Sequence, residues 1–444
     1  MVKKLFTAFS LLEKIEVLVI GDLMLDRYTS GKVGRISPEA PVPVLHADEE
    51  HALPGGAGNV MLGLVALGAT VHAMGRVGYD QAGEILQSLL SQEKINTAGI
   101  FVQEDYRTPE KRRIIADNHH LLRIDHEKIA PPSKELEEQI IDSFSQILPQ
   151  ISVVAISDYG KGFLTKELLQ KLIARAQKAK VPVLVDPKGL DFSKYSGATL
   201  VKPNCKEAYL ASGLSQEASL EEVSESIFSK SKIENLVITR SEEGISLFSQ
   251  NTREDFATEA KEIKDVTGAG DTVLATIAMA VGSKISLVEA CQLANYTASV
   301  AIEHVGCKPV TLSQLAERLL KNSANAKIFE EHHLFALKEL LKDQPFILLG
   351  MDQESVASIK WIDALQELAK EKIILYVSEK TPRHYLSLLA SLKEISFLIL
   401  GSQSLTELCS EIGPRRVYVF EDESLHQLDE AVALLKRLSN ESIV

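Results

Sequence analysis

Short apolar, strand-like segments alternate with helix-like stretches over much of this chain, and this alternation limits the folds that are open to it. The strand-like segments are Glu16–Ile20, Thr70–Met74, Val153–Ile156, Val181–Val185 and Leu236–Thr239. The stretches between them carry apolar residues at helical spacing, as in Asn59–Leu67. Strands that alternate with helices in this way form a parallel sheet. The pattern therefore predicts an α/β fold, with a mostly parallel sheet flanked by helices.

Two segments interrupt the alternation, Tyr28–Ala47 and Phe101–Asp125. Both are rich in extended, β-compatible residues, and neither has a helix to cover it. We therefore expect them to form a small β lid, at about residues 28–47 and 101–125. A lid of this kind leaves unpaired strand edges that a second subunit could cover, so the sequence favours a homodimer that forms through the lid.

The length of 444 residues favours two domains over a single core. Residues 321–327 are polar and lack periodicity, which predicts a linker there. The linker would separate a first domain, residues 1–320, from a smaller α/β domain, residues 328–444. Four apolar strands are predicted in the smaller domain: Phe346–Leu349, Ile373–Val377, Phe397–Leu400 and Val417–Phe420.

The composition argues against several classes of protein. With 45% apolar and 25% charged residues, and no apolar run of the roughly 20 residues that a membrane span needs, the chain has a globular composition. Its formal charge of −13 argues against a broad nucleic-acid surface, although a local basic pocket for a small anion remains open. The four cysteines lie far apart, and the N-terminal residues lack a secretion signal. We expect a soluble, cytoplasmic protein with reduced thiols.

A glycine-rich segment, Gly268-Ala269-Gly270, directly precedes Asp271 and the apolar helical run Thr272–Val281. Small residues at the start of a helix let backbone N–H groups approach a phosphate, and the helix dipole adds to the attraction. Asp271 would then face an acceptor hydroxyl as a general base. From the local sequence alone, it could equally be the N-cap of the helix.

Two motifs in order decide between these alternatives. Asp265–Asp271, followed by Thr272, resembles the C-terminal signature of the ribokinase-like carbohydrate kinases. Gly55-Gly56-Ala57-Gly58-Asn59 resembles the other signature of that family. The resemblance implies an ATP-dependent sugar kinase in which Asp271 is the base, while Gly268, Ala269 and Gly270 hold the transferred phosphoryl group.

Asp22 and Asp26 follow the first predicted strand, where ligands of open α/β sheets bind. A carboxylate can accept hydrogen bonds from two hydroxyl groups of a sugar. The alternative for both residues is a role in a turn or a helix cap, and for Asp26 the two interpretations are equally favoured. The resemblance adds Gly55, Gly56 and Asn59 to this sugar side.

Further segments resemble the bacterial heptose-7-phosphate kinases. They are Arg35–Val44 at the start of the lid, Ser157–Gly162, Asp186–Gly189, and Tyr195–Thr199 leading to Pro203-Asn204. A substrate that carries a phosphate requires cations, and Lys161 and Lys188 are the preferred pair because each follows a predicted strand. The neighbouring run of Lys111, Arg112 and Arg113 is interpreted as a solvated face.

The nucleotide side is assigned by the same resemblance. Asn204 and Glu207 match an Asn-x-x-Glu element that helps to place Mg²⁺ through water and oxygen ligands. The further nucleotide-binding candidates are Thr239, Gly244, Thr267, Gly268, Gly270 and Asn295. Cys307 and Lys308 replace the small hydroxyl residues usual near the monovalent-cation site, which makes that cation doubtful; the Lys308 ammonium is a candidate substitute.

The C-terminal domain lacks the His-x-Gly-His signature of the nucleotidyltransferases that are often fused to heptose kinases. Its adjacent pair His332-His333 is interpreted as solvated surface before any strand, and no catalytic set is predicted there. The resemblance implies that ATP phosphorylates D-glycero-D-manno-heptose 7-phosphate at the anomeric hydroxyl, giving the 1,7-bisphosphate for ADP-heptose and lipopolysaccharide synthesis. The alternatives are a kinase for another sugar or sugar phosphate, and a non-catalytic sugar-phosphate-binding module.

Overall fold

The computed structural model describes residues 2–117, 119–249, 252–258, 263–304, 306–321, 327–342, 344–351, 361–421 and 424–428. The chain divides into two compact units, one of residues 12–311 and one of residues 1–11 together with 312–444. The division precedes the predicted linker at 321–327, of which residues 322–326 lie outside the described residues. It also assigns the first helix, α1 (Val2–Ser10), to the unit that contains the C-terminal part of the chain.

The unit of residues 12–311 contains thirteen strands among its described residues. In chain order they are β1 (Glu16–Gly21), β2 (Leu23–Ile36), β3 (Pro43–Gly56), β4 (Thr70–Gly78), β5 (Asn96–Gln103), β6 (Glu110–Ala116), β7 (His119–His126), β8 (Val153–Ser157), β9 (Val183–Asp186), β10 (Leu200–Val201), β11 (Asn235–Thr239), β12 (Ile245–Ser249) and β13 (Thr252–Phe256). Nine of them form one sheet in the order β13-β12-β11-β10-β9-β8-β1-β4-β5. Among its described strands, only the neighbouring pairs β11–β12 and β12–β13 are antiparallel, which confirms the predicted mostly parallel sheet.

Helices flank this sheet and build its core. They are α2 (Ala57–Ala66), α3 (Gln81–Gln92), α4 (Lys134–Ile147), α5 (Lys166–Lys178), α6 (Cys205–Ser212), α7 (Leu220–Ser231), α8 (Ala269–Gly282) and α9 (Leu287–Ala301). In α4, Ile140 and Phe144 are four residues apart and fully buried, whereas the N-cap Ser133 accepts a hydrogen bond from a backbone N–H of the first turn. Ile140 and Phe144 share one core with apolar residues of the strands, such as Ile20 of β1.

The lid is a separate sheet in the order β3-β2-β6-β7. Its two long strands reach back to Leu23 and forward to Gly56, beyond the predicted Tyr28–Ala47. The predicted second segment starts too early, since Phe101 belongs to β5 of the main sheet, where it pairs with Arg76. Because β2 follows β1 after a single residue, the lid begins directly at the carboxyl edge of the main sheet.

The other unit contains a six-stranded sheet in the order β14-β17-β16-β15-β18-β19. Its strands are β14 (Ile328–Glu330), β15 (Phe346–Met351), β16 (Lys372–Ser378), β17 (Ile395–Gly401), β18 (Arg416–Glu421) and β19 (Ser424–Leu428). Its other helices are α10 (Leu312–Lys321), α11 (Leu334–Leu341), Trp361–Leu368, Arg383–Ser391 and Leu405–Ile412. All four strands predicted here are confirmed; the short β14 and the polar β19 were missed. None of the described helices is long and apolar enough to span a bilayer.

The interpretation of His333 as solvated surface is wrong. His333 ends a short 3₁₀ helix, Glu331–His333, that follows β14, and it is only 6% exposed. Its ring packs edge-on against Phe6 at 6.0 Å between centroids. The side chain of His332 lies outside the described residues.

Candidate active site

Four polar side chains lie where strands of the main sheet end and α8 begins. Asp22 follows β1, Tyr159 follows β8, Asp186 ends β9, and Asp271 lies in the first turn of α8. The carboxyl ends of parallel strands share one edge of a sheet, and ligands of such sheets bind there. The carboxyl edge of β1, β8 and β9 is therefore the candidate site.

Asp271 is not the N-cap of its helix. Helix α8 begins at Ala269, and its N-cap is Gly268, which sits in the left-handed region at φ 78°. The Asp271 carboxylate instead accepts hydrogen bonds from the Tyr159 hydroxyl, at 2.9 and 3.1 Å, and from the Asn59 amide, at 3.3 Å. The side chain therefore points into the site, where it can accept a proton.

Burial sets the charge state of this carboxyl group. Asp271 is only 6% exposed, and loss of water around it, reinforced by the charge of Asp186, raises its pKa to about 7. The hydrogen bond from Tyr159, the charge of Lys202 and the hydrogen bond from Asn59 act in the opposite direction. A carboxylic acid with a pKa near neutrality is matched to proton transfer at physiological pH.

The two glycines before Asp271 lie against neighbouring side chains, and the left-handed φ of Gly268, 78°, favours glycine at that position. A Cβ on Gly268 would lie 3.0 Å from Cys307 Sγ, and a Cβ on Gly270 would lie 3.4 Å from Lys202 Nζ. With Ala269 between them, they place the start of α8 against a buried lysine, whose Nζ lies 3.1 Å from Asp186 Oδ2. The positive end of the helix dipole and the Lys202 ammonium both favour an anion here.

The sugar-side candidates lie together at the start of the lid. Asp26 Oδ1 accepts a 2.6 Å ion-pair hydrogen bond from Arg113, and a Cβ on Gly55 would overlap Asp26 Oδ2. Gly56 has φ 59° and directly precedes α2, which carries Asn59. The backbone here thus comes close to Asp26 because glycines occupy these positions.

Asp22 is nearly inaccessible, at 2% exposure, and only one of its oxygens is occupied. Oδ2 accepts backbone N–H hydrogen bonds from Tyr159 at 2.9 Å and Lys161 at 3.0 Å. Oδ1 is buried and has no hydrogen-bond partner among the described residues. Burial above all raises the pKa of Asp22, although the N–H donors oppose it.

The predicted cation pair is divided between two regions of the site. Lys161 forms an ion pair with Glu127 and donates its backbone N–H to Asp22. Lys188 Nζ lies 2.8 Å from Glu207 Oε1, on the side of the nucleotide candidates.

The interpretation of Lys111–Arg113 as a solvated face is wrong for two of its three residues. Arg113 pairs with Asp26, and its side chain is 16% exposed. The ammonium of Lys111 lies 5.6 Å from the centre of the Tyr159 ring, and burial lowers its pKa. Alternate residues of a strand point to opposite faces, so β6 turns Lys111 and Arg113 towards the site and Arg112 away.

The nucleotide-side candidates line a cavity of about 500 Å³ beside Gly270. Its lining includes Asn204, Glu207, Thr239, Gly244 and Asn295, as well as Lys188, Lys202 and Asp186. Asn204 and Glu207 form a capping box at the start of α6, which fixes both side chains at the cavity wall. The Asn295 amide donates to the carbonyl oxygen of Ala257 at 2.6 Å.

Thr267 lies on the other side of Gly268. Its hydroxyl and backbone N–H both bond to Asp265 Oδ1, and Asp265 Oδ2 accepts from the N–H of Gly306. Thr267 lines a small cavity of about 20 Å³ that Cys307 and Lys308 also line. Asp265 thereby ties the glycine segment to the 306–308 turn.

The sequence interpretation missed Tyr159, Lys202 and Asp186 as individual site residues. Tyr159 and Asp186 lie within quoted segments, whereas Lys202 directly precedes Pro203-Asn204. Lys202 could have been found, because a lysine that ends an apolar strand-like run, Leu200-Val201, is placed at the carboxyl edge of the sheet. The contact of Tyr159 with Asp271 spans 112 residues and has no local signal.

A model of the pfkB family of carbohydrate kinases matches residues 14–314, about two thirds of the chain. The chain belongs to this family. It is accordingly an ATP-dependent carbohydrate kinase.

Relatives and solved structures agree with the family. The bifunctional protein HldE of Trichlorobacter lovleyi is 37% identical over 435 residues, which cover 96% of this chain and 83% of that protein. The bifunctional protein HldE of Pelobacter propionicus is 41% identical over 345 residues, covering 77% of this chain and 71% of that protein. The Escherichia coli phosphofructokinase-2 complexed with potassium has a TM-score of 0.58 at 21% identity and covers 69% of this chain and 98% of that one. The Arabidopsis thaliana ribokinase complexed with ribose and ATP has a TM-score of 0.55 at 19% identity and covers 69% and 99%. These two structures share the fold.

The residues of this pfkB-family site fit ATP and a divalent ion. The cavity beside Gly270 is large enough for a nucleotide, and Lys202 offers positive charge where its phosphates would enter. Asn204 and Glu207 offer the oxygen atoms that hard divalent cations prefer. In the described part of the chain, no three His, Cys, Asp or Glu side chains form a metal cluster of their own.

Proposed function

We propose that this kinase transfers the γ-phosphoryl group of ATP to the anomeric hydroxyl of D-glycero-D-manno-heptose 7-phosphate, giving the 1,7-bisphosphate and ADP. The observation that carries the proposal is the cationic face of β6, where Lys111 and Arg113 lie over the sugar side next to Lys161. A phosphate already present on the acceptor would explain why cations gather where a plain sugar needs only hydrogen-bond acceptors. The HldE relatives, named as bifunctional proteins, support the heptose assignment.

Asp271 acts as the base in this proposal. It takes the proton of the anomeric hydroxyl while that oxygen forms a bond to the γ-phosphorus and the bond from phosphorus to the leaving ADP oxygen breaks. The backbone of Gly268, Ala269 and Gly270 at the start of α8 and the Lys202 ammonium hold the negative charge of the transferred group. Proton acceptor and phosphoryl site are thus adjacent along one helix.

The sugar is held by the sugar-side residues at the start of the lid. Asp22 Oδ1, buried without a partner among the described residues, is available to one sugar hydroxyl. Asp26, fixed by Arg113, accepts a second, and the close backbone of Gly55 and Gly56 leads to Asn59. Lys161 with the β6 cations would bind the 7-phosphate.

On the nucleotide side, Asn295, Thr239 and Gly244 are proposed to border the adenosine, and Thr267 the phosphates. Asn204 and Glu207 are proposed to hold Mg²⁺ indirectly through water, where the ion would neutralise phosphate charge. Lys188, paired with Glu207, belongs to this side and not to the sugar phosphate.

The proposal includes two further properties, the oligomeric state and the independence from a monovalent cation. Exposed apolar side chains on the lid, among them Leu53, Leu121 and Leu122, support a homodimer through the lid edges. The exposed Lys308 beside Thr267 supports activity without a monovalent cation. A clear rise in turnover on adding potassium to a potassium-free assay would contradict the second property.

A substrate panel read by ADP release tests the function. Heptose 7-phosphate should give the highest kcat/KM, and Asp271→Asn should lower kcat by about 10²- to 10⁴-fold, the usual contribution of a general base. Preference for fructose 1-phosphate, ribose or adenosine would refute the proposed acceptor. Sugar-phosphate binding without any ADP release would favour a non-catalytic binding module.

A further inference from the structure

The Tyr159 hydroxyl lies between the two oxygens of the Asp271 carboxylate, 2.9 Å from Oδ1 and 3.1 Å from Oδ2. Among the described residues, the Asn59 amide also donates to this carboxylate, but it reaches only Oδ2, at 3.3 Å. A donor that contacts both oxygens fixes the rotation of the carboxylate about its last bond. Tyr159 is thus the group that sets the direction in which Asp271 faces.

The position of Tyr159 is itself fixed from the sugar side. Asp22 Oδ2 accepts the N–H of Tyr159 and the N–H of Lys161, which clamps the turn that carries the tyrosine. Above the ring, the Lys111 ammonium lies 5.6 Å from its centre. Two sugar-side charges, one from the end of β1 and one from the lid, thus locate the side chain that contacts Asp271.

The Tyr159 hydroxyl can act only as a donor to Asp271. Burial, the Asp271 and Asp186 charges and the hydrogen bond to Asp271 raise the pKa of Tyr159 well above its usual value, so it remains protonated throughout the working range. The other charged or titratable groups that influence Asp271 are Asp186 of β9, Lys202 after β10, and Cys307. Within the described part of the chain, the side-chain hydrogen bonds to the Asp271 carboxylate come from Tyr159 and Asn59, whereas these three groups influence it electrostatically.

We propose that Tyr159 is a positioning residue of the phosphoryl transfer, whose hydroxyl orients the Asp271 carboxylate towards the acceptor hydroxyl and stabilises its ionised form. This inference rests on the proposed role of Asp271 as the base. It acts through Asp271 and requires no contact of Tyr159 with the sugar. Because Asp22 and Lys111 locate the ring, occupancy of the sugar side and orientation of the base are coupled through one side chain.

Tyr159→Phe tests the inference, because it removes the hydroxyl and keeps the ring beneath Lys111. Without this donor the ionised carboxylate loses a stabilising hydrogen bond, so the pKa of Asp271 should rise by about one unit. A ¹³C-carboxyl NMR titration of the full chain without substrate measures this directly, with Asp271→Asn identifying the resonance. The acid limb of kcat/KM should move to higher pH by the same amount, and kcat at pH 7 should fall about tenfold or more while KM for ATP is unchanged.

Tyr209→Phe is the control, because the Tyr209 hydroxyl donates to the carbonyl oxygen of Ala218, at 2.8 Å, and Ala218 is not a residue of the site. It should leave both the titration and the pH profile unchanged. Tyr159→Met, which also lacks the donor, should repeat the shift if the Phe variant proves unstable in thermal unfolding. An Asp271 titration that is the same in wild type and both Tyr159 variants overturns the inference, whichever sugar proves to be the substrate. Full activity of Asp271→Asn would instead overturn the base assignment in the proposed function.

Discussion

Asp271, the proposed base, is placed where its ionised form is unfavourable to the fold. The carboxyl group is buried, and its neighbour Asp186 adds repulsion, which together raise its pKa to about 7. Tyr159, Lys202 and Asn59 compensate in part. A carboxyl group that ionises near neutrality at this buried position therefore lowers the stability of the folded protein.

This destabilisation predicts a pH-dependent gain in stability for Asp271→Asn. The folded pKa lies above the ordinary value of 3.8, so the protonated form contributes stability that is fully present below pH 4 and lost as the pH rises through 7. Asparagine has no charge to bury, so the variant should exceed wild type by on the order of 2 kcal/mol at pH 8 and by much less at pH 5. Urea unfolding at the two pH values measures the difference.

Asp142→Asn, at an exposed position of α4, provides the control and should change little at either pH. If Asp271→Asn is only as stable as wild type at both pH values, the carboxyl group is not buried in its charged form.

At the residue scale, the sequence indicated Asp271 and other groups of the site, but it singled out neither Tyr159 nor Lys202 and did not show how the side chains contact one another. Local pattern left Asp271 equally a cap or a base, and the structure excludes the cap because Gly268 takes that position. The hydrogen bonds that hold the Asp271 side chain in the site come from Asn59, 212 residues away, and from Tyr159, 112 residues away. A single sequence carries no local signal for such pairs.

Among the elements, the lid strands determine which side chains enter the site. The strands of the main sheet could be predicted from the sequence because helices cover both faces of that sheet, and its strands are therefore apolar throughout. The lid carries polar residues on both faces, so its pattern gave neither its true bounds nor the inward direction of Lys111 and Arg113. A charge run on a strand alternates between two faces, whereas the same run on a loop is solvated.

Strand β6 therefore offers a comparison of adjacent arginines. Arg113→Met removes the partner of Asp26, which leaves a buried carboxylate unpaired and a cation missing from the sugar side. We expect the KM for the sugar phosphate to rise about 10- to 100-fold with little change in the KM for ATP, together with a loss of stability of about 3 kcal/mol. Steady-state kinetics and thermal unfolding report the two effects.

Arg112→Met on the opposite face is the control. Arg112 pairs with Glu110 at 3.3 Å and is 34% exposed. Arg112→Met should therefore change the KM for the sugar phosphate and the thermal stability only slightly. Equal effects of the two variants would mean that β6 does not distinguish its faces as described.

For the whole molecule, the division into units does not follow the order of the chain. Leu5, Phe6 and Phe9 of α1 are buried, and α1 contacts α10 and α11 of the C-terminal unit. The kinase unit, residues 12–311, coincides closely with the family match at residues 14–314. The predicted boundary at residue 320 falls in the last turn of α10, because α10 is helical like the segments before it and composition marks only the polar residues that follow.

The structure predicts different behaviour for two fragments. Residues 12–311 should be monodisperse and release ADP with the substrate of the full chain, because this unit contains the whole candidate site. Residues 1–322 should self-associate, because α1 and α10 keep their apolar faces but lose α11. Size-exclusion chromatography with light scattering, followed by the ADP-release assay, compares them. An aggregating 12–311 fragment beside a well-behaved 1–322 fragment would contradict the division.

The position of α1 also has a consequence for synthesis on the ribosome. Its partner α11, Leu334–Leu341, emerges only after the entire kinase unit, which at common translation rates is a delay on the order of tens of seconds. The kinase unit can acquire its structure as it leaves the exit tunnel, since all of its strands and helices are by then available. The other unit can close only after nearly all of the chain is made, and until then the nascent protein presents the apolar face of α1 to chaperones.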